Sequence, residues 1–225
     1  MLAGEGGGKD AEEALADLCH DYWRPLYQYA RRRGYSREDA EDLTQGFVAG
    51  LLASGSIARA DRERGRFRTF LLGAFCNFIA NCNRSQSAEK RGGGTVLATE
   101  MAEAEAELER AAVDVMSPER LYEQSWAKRL LEKVMLRLRG EFENSGRRAV
   151  FDALQPHLSG AAGRPGYASL GESLGLSESA VTVTVHRMRK RYGLLLREEI
   201  AATVASPEEV DDELRYLMQV VGSAM

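Results

Sequence analysis

Residues 167–192 read YASLGESLGLSESAVTVTVHRMRKRY, and their spacing predicts two helices joined by a tight turn. Ala168, Leu170 and Leu174 give a short first helix an apolar side, Gly175 and Leu176 form the turn, and Ser177 caps a longer helix. That second helix turns Val181, Val185, Met188 and Tyr192 inward, and Gly171 lets the two helices approach closely. The arrangement is that of a helix-turn-helix. Ser179, Thr182, Thr184 and His186 fall outward as short polar groups within reach of base edges. Arg187, Arg189, Lys190 and Arg191 follow them, and cations there suit phosphates, which fix register on a duplex. A plain helical hairpin with a solvated basic end is the competing reading. Capping serine, turn glycine and polar-then-basic order together favour DNA.

Outward from this stretch, apolar residues recur at three and four, and no turn-bounded alternation of period two is found, so the expected class is all-α. A first helix is expected over 11–33, stopped by Gly34. Ser36 caps a second, with Asp39 in the acidic place of a capping box and Ala40, Leu43, Phe47 and Leu51 as its buried stripe. A third, over 67–86, is expected to bury Phe67, Phe70, Leu71, Ala74, Phe75 and Phe78. Its other face carries Thr69, Gly73, Asn77, Asn81 and Arg84, a polar strip that either faces water or offers amides to base edges. Arg66 and Arg68 flank Phe67, a mixture of cation and ring that suits unstacked bases. Glu38, Glu41, Asp42 and Gln45 form an acidic ridge on the second helix, which either faces water or docks a basic protein.

Gly92, Gly93 and Gly94 begin a connection, and Ser117 with Pro118 caps a new helix lined by Leu121, Leu130, Leu131, Val134 and Leu138 as far as Gly140. A short helix near 149–154 and a glycine- and proline-rich loop precede the helix-turn-helix. Ser206 and Pro207 start a last helix, carrying Val210, Leu214, Leu217 and Val221, that is expected to pack on the C-terminal domain.

The chain has 225 residues, 44% hydrophobic and 28% charged, with a net charge of −4, which suits a globular protein and excludes one that coats nucleic acid by bulk positive charge. The charge is distributed in blocks. Between Arg59 and Arg91, eight basic residues face three acidic ones; from 95 to 123, eight acids oppose Arg110 and Arg120. No membrane span or signal peptide is read, so a cytoplasmic protein is expected. Cys19, Cys76 and Cys82 are too few and scattered for a zinc site and are read as packing residues. With no nucleophile and base pair, no phosphate loop and no metal cluster, neither an enzyme nor a cofactor is expected.

The strings DAEDLTQ (39–45) and GRFRTFL (65–71), followed by the closing helix-turn-helix, resemble the extracytoplasmic-function (ECF) group of bacterial sigma factors, over roughly 15–196. The resemblance implies two small helical domains. The first, a three- to four-helix domain of sigma region 2 type over 11–91, follows a disordered 1–10; a flexible acidic linker spans 92–117. A region 4 type helix-turn-helix domain covers 118–200, and 201–225 is an extension beyond the family's shared region. It further implies that Glu38, Glu41, Asp42 and Gln45 meet a coiled coil of the largest subunit of core RNA polymerase. Arg66, Arg68, Thr69, Asn77, Asn81 and Arg84 would lie at the melted minus-ten element, and the helix-turn-helix residues at the minus-thirty-five element of promoter DNA. An anti-sigma or other regulatory protein is a further implied partner. A free-standing helix-turn-helix regulator is the alternative.

Overall fold

The computed structural model describes residues 20–54, 66–86, 116–158 and 163–222. The expected N-terminal segment, Cys19, the triple glycine and most of the acidic block lie outside them. Every regular element among the described residues is helical, as the periodicity requires. In order these are α1 (20–32), α2 (Arg37–Ser54), α3 (Phe67–Gln86), α4 (Pro118–Asn144), α5 (Arg148–Leu154), α6 (Tyr167–Leu174), α7 (Glu178–Ala201) and α8 (Val210–Gly222). Single 3-10 turns at Gln155–His157 and Pro207–Glu209 precede the loop before α6 and open α8. The chain divides into two compact units, residues 1–129 with 203–225, and residues 130–202.

The local signals act where expected. Gly34, at φ +93°, ends α1, and the Tyr35 N–H returns to the Ala30 carbonyl at 3.3 Å. The Ser36 hydroxyl accepts from the Asp39 N–H at 3.0 Å and donates to its carboxylate at 2.7 Å, satisfying one of the orphan donors of α2. Ser117 accepts from the Arg120 N–H at 3.2 Å at the start of α4. That helix does not stop at Gly140. It continues to Asn144 and is closed by Gly146 at φ +68°, because the Phe142 ring has a partner in Phe151, 5.7 Å away.

In the first unit Leu26, Tyr27, Ala30, Ala40, Phe47, Leu71, Phe75, Tyr122 and Trp126 are buried. Phe75 is the hub, 5.1 Å from Phe47 and 6.3 Å from Tyr29 between ring centroids. Two expectations are corrected here. Phe70 is 39% exposed, because α3 turns Leu71, Phe75 and Ile79 inward at spacing four and Phe70 falls one step off that stripe. The last helix belongs to this first unit, together with 118–129 of the expected C-terminal domain, and not to the unit of 130–202: Val210, Leu217 and Val220 are buried, and Glu213 binds Arg66 and Arg68. Burying each of those apolar chains is worth about 1.5–3 kcal/mol.

The second unit centres on Val134, Leu138, Phe142, Phe151, Leu154, Leu170, Val181, Val185, Met188, Leu195 and Ile200. Charges reinforce it at the edge, where Arg137 reaches Glu198 at 2.8 Å and Glu199 at 2.5 Å and Lys133 lies 3.2 Å from Glu199. Exposed pairs of this kind add little individually, about 0–1 kcal/mol.

Candidate nucleic-acid interface

The helix-turn-helix is built by three local devices. Gly175 adopts φ +67° as the left-handed end of α6 and directs its N–H back to Glu172. Leu176 donates to the Gly171 carbonyl at 2.8 Å. Ser177 then accepts from Ala180 at 3.2 Å and starts α7. At Gly171 a Cβ would stand 2.6 Å from the Leu176 carbonyl oxygen, so only glycine fits this crossing.

The outer face of α7 differs in one respect from the expected set. Ser179, Thr182, His186, Arg187, Arg189 and Lys190 are exposed, but Thr184 is half-buried and its hydroxyl donates to the Ala180 carbonyl at 2.7 Å. Val183, 47% exposed, stands in its place. Positions 179, 182, 183, 186, 187 and 190 are the strict three-and-four register of one helix face, a signal present in the sequence. An exposed valine there suits a thymine methyl group. The Thr182 hydroxyl donates to Glu178 at 3.0 Å and keeps lone pairs for an incoming donor.

The basic end is only partly available for phosphates. Arg191 makes a two-pronged pair with Glu141, its Nη2 at 2.6 Å and its Nε at 2.9 Å, and lies 3.5 Å from Glu198. The hydrogen bond from Arg191 holds the Glu141 carboxyl below its ordinary range. Arg189 donates to the His157 carbonyl at 2.9 Å. Arg187 and Lys190 make no ion pair among the described residues. The expected phosphate group of four thus separates into two open cations, one braced and one tied to a carboxylate.

In the first unit α3 presents Thr69, Phe70, Gly73, Asn77, Asn81 and Arg84 along one exposed face, with Arg84 donating to Ala80 at 3.3 Å. Phe70 thereby joins the polar strip as an exposed ring able to stack on a base. Arg68 is placed otherwise than its sequence position suggests. Its guanidinium is buried, with its centre 4.6 Å from the Trp126 ring and 4.5 Å from the Tyr216 ring, and it is paired with the buried Glu213 carboxylate. Arg66 reaches the same carboxylate at 2.8 Å and remains about a third exposed. Burial, then the neighbouring Arg66 charge, push the Arg68 guanidinium down from its ordinary pKa. The cause is geometric: residues 66–68 start α3, where four segments converge. Tyr122 donates to the Arg68 carbonyl at 3.0 Å, the Phe67 N–H finds the Thr203 carbonyl at 3.1 Å, and Tyr22 sets its ring on edge 5.4 Å from Phe67.

On α2, Glu38 and Asp42 are exposed and unpaired among the described residues, while Glu41 and Gln45 are half-buried and joined by a 3.3 Å hydrogen bond. Thr44 behind them is buried and bonds the Ala40 carbonyl at 2.7 Å, so the ridge stands on a rigid helix. Cys76 takes a 3.1 Å contact from the Tyr29 hydroxyl, and burial pushes the Cys82 thiol pKa up. No helix among the described residues is long and apolar enough to cross a membrane.

Residues 18–85 match the family model of sigma-70 region 2, which covers α1, α2 and α3. The match spans 68 of the 225 residues and is a likeness of this segment to region 2 of sigma-70 factors. No curated protein and no solved structure matches the chain.

Proposed function

We propose that this region 2 protein is a sigma factor of the ECF type, which binds core RNA polymerase and directs it to promoters, with no catalytic activity of its own. The observation that carries the reading is the region 2 match on 18–85 followed in the same chain by a helix-turn-helix at 167–201. In this reading the ridge of Glu38, Glu41, Asp42 and Gln45 is the polymerase contact, its open carboxylates complementing a basic partner. Thr69, Phe70, Asn77, Asn81 and Arg84 hold the melted minus-ten strand. Ser179, Thr182, Val183 and His186 read the minus-thirty-five duplex, while Arg187, Arg189 and Lys190 sit on its phosphates. Melting costs stacking energy that the chain offsets by capturing unstacked bases. Two open cations are few for tight duplex binding, because affinity for DNA scales with phosphates neutralised; polymerase supplies the remainder. An anti-sigma or other regulatory protein that covers these faces belongs to the same proposal.

The test is co-purification and transcription with core polymerase on a promoter library, comparing the native chain with the double substitution Asp42→Ala, Gln45→Ala. Loss of core binding and of transcripts in the variant is the expected result. Tight, specific duplex binding by the isolated native chain, unchanged in the variant and with no core association, would overturn the reading in favour of a free-standing regulator.

A further inference from the structure

One carboxylate, Glu213, is shared by two guanidiniums, and one ring, Tyr216, lies three residues on along α8 with its centre 4.5 Å from the Arg68 guanidinium and 5.5 Å from that of Arg66. An anion bridged by arginines and a ring on a guanidinium face are the two things a nucleotide offers a protein, phosphate and base. We propose that α8 is a displaceable strap that fills a single-stranded DNA subsite in cis, with Glu213 in the place of a backbone phosphate and Tyr216 in the place of a stacked base.

Position supports this occupant. Arg66 opens the exposed stripe that continues through Thr69, Phe70, Gly73 and Asn77 at three-and-four spacing, so the covered subsite prolongs the strip assigned above to the melted strand. The inference rests on that assignment. Charge supports it too, because Glu208, Glu209, Asp211 and Asp212 precede Glu213 at the start of the strap. A strand approaching Arg66 competes for the guanidiniums and at the same time repels the segment that holds them. Energetics make the exchange feasible: burying two charges costs several kcal/mol per ion before their attraction repays it, so a desolvated pair is weakly held for its size. With the strap docked, apparent affinity for a single strand falls by the fraction of chains that are open. Binding is then productive only when polymerase presents a melted strand at high local concentration.

The experiment uses the full-length chain, Glu213→Gln, and a fluorescein-labelled oligo-dT twelve-mer as a sequence-neutral strand, read by anisotropy. Glu213→Gln is expected to bind about tenfold tighter than the native chain, the equivalent of about 1.4 kcal/mol. Amide exchange on the native chain gives a second arm that does not depend on the variant folding. Added oligonucleotide should speed exchange over 207–222 and slow it over 66–77. Equal affinities in two chains with native melting profiles, continued protection of 207–222 with oligonucleotide bound, or no binding by either chain overturns the strap. Core association is scored separately. A chain that shows both changes but does not hold core polymerase sinks the function proposed above and leaves the strap. A chain that holds core and shows neither change sinks the strap alone.

Discussion

Gly171→Ala should disarm the helix-turn-helix, and the size of the effect follows from one distance. The added Cβ would sit 2.6 Å from the Leu176 carbonyl oxygen, about 0.8 Å inside ordinary contact, with the Glu178 nitrogen and the Ser177 carbonyl carbon at 3.5 Å behind it. All three are backbone atoms of the turn, so no side chain can rotate away. Relief requires α6 to lift off the start of α7, straining the 2.8 Å bond from Leu176 to Gly171. Overpacking of this kind costs about 1–3 kcal/mol, and alanine's better helix propensity returns up to about 1 kcal/mol. A net loss of about 1–2 kcal/mol is expected in the second unit. Gly193→Ala is the control: in the same unit, on α7, with nothing within 4 Å of its would-be Cβ, it should gain about 0.5–1 kcal/mol. Urea titration followed by circular dichroism, with amide exchange over 167–185 to localise the change, measures both. If Gly171→Ala is as stable as Gly193→Ala and exchange over the turn is unaltered, the steric reasoning is wrong.

Other consequences are accessible to the same methods. Leu217→Ala truncates a fully buried chain on α8, and a loss of about 2–5 kcal/mol is expected in the first unit. Because Trp126 stacks beside Arg68 under that helix, the transition should be accompanied by a red shift in tryptophan emission; a stable variant with native emission would show α8 to be dispensable. His157 gives a pH dependence. Burial, then the charges of Arg164 and Arg189, hold its pKa below 6.5, so the unfolded chain binds the proton more readily. Its contribution is therefore complete above pH 6.5 and is lost as pH falls through the lower folded value. Melting of the second unit should decline between pH 7.5 and 5, and His157→Gln should flatten that decline; an equal slope in both chains would refute it. Glu141, held below 4.5 by Arg191, keeps its contribution across this range and loses it only at more acid pH.

The three- and four-residue periodicity, the caps at Ser36, Ser117 and Ser177, and the glycines at 34, 171 and 175 were all legible, because each acts through atoms within a few residues along the chain. They determine the helical class, the helix-turn-helix and the face of α7 to within one residue. Val183 and not Thr184 lies on the outer face, because a helix face follows strict register and not side-chain polarity. Phe70 is a related case: an aromatic side chain reads as core, and only the direction of α3 against α1 and α2 leaves it outside.

What local patterns did not reveal was the destination of long-range partners. Arg66 and Arg68 stand at the positive end of α3, where the helix dipole disfavours cations and the first turn contains no acid. Read alone, they are two free guanidiniums ready for DNA. Their counter-charge is Glu213, more than 140 residues later, on a helix expected to belong to the other domain. Arg191 is the same lesson at shorter range, its carboxylate lying fifty residues earlier on α4. Which groups are charged, and where the helices start and turn, follows from neighbours close along the chain. Which charges are already neutralised follows from long-range packing, since a pair separated so far along the chain meets through apolar neighbours such as Leu217 and Val220, and not through any pattern near either residue.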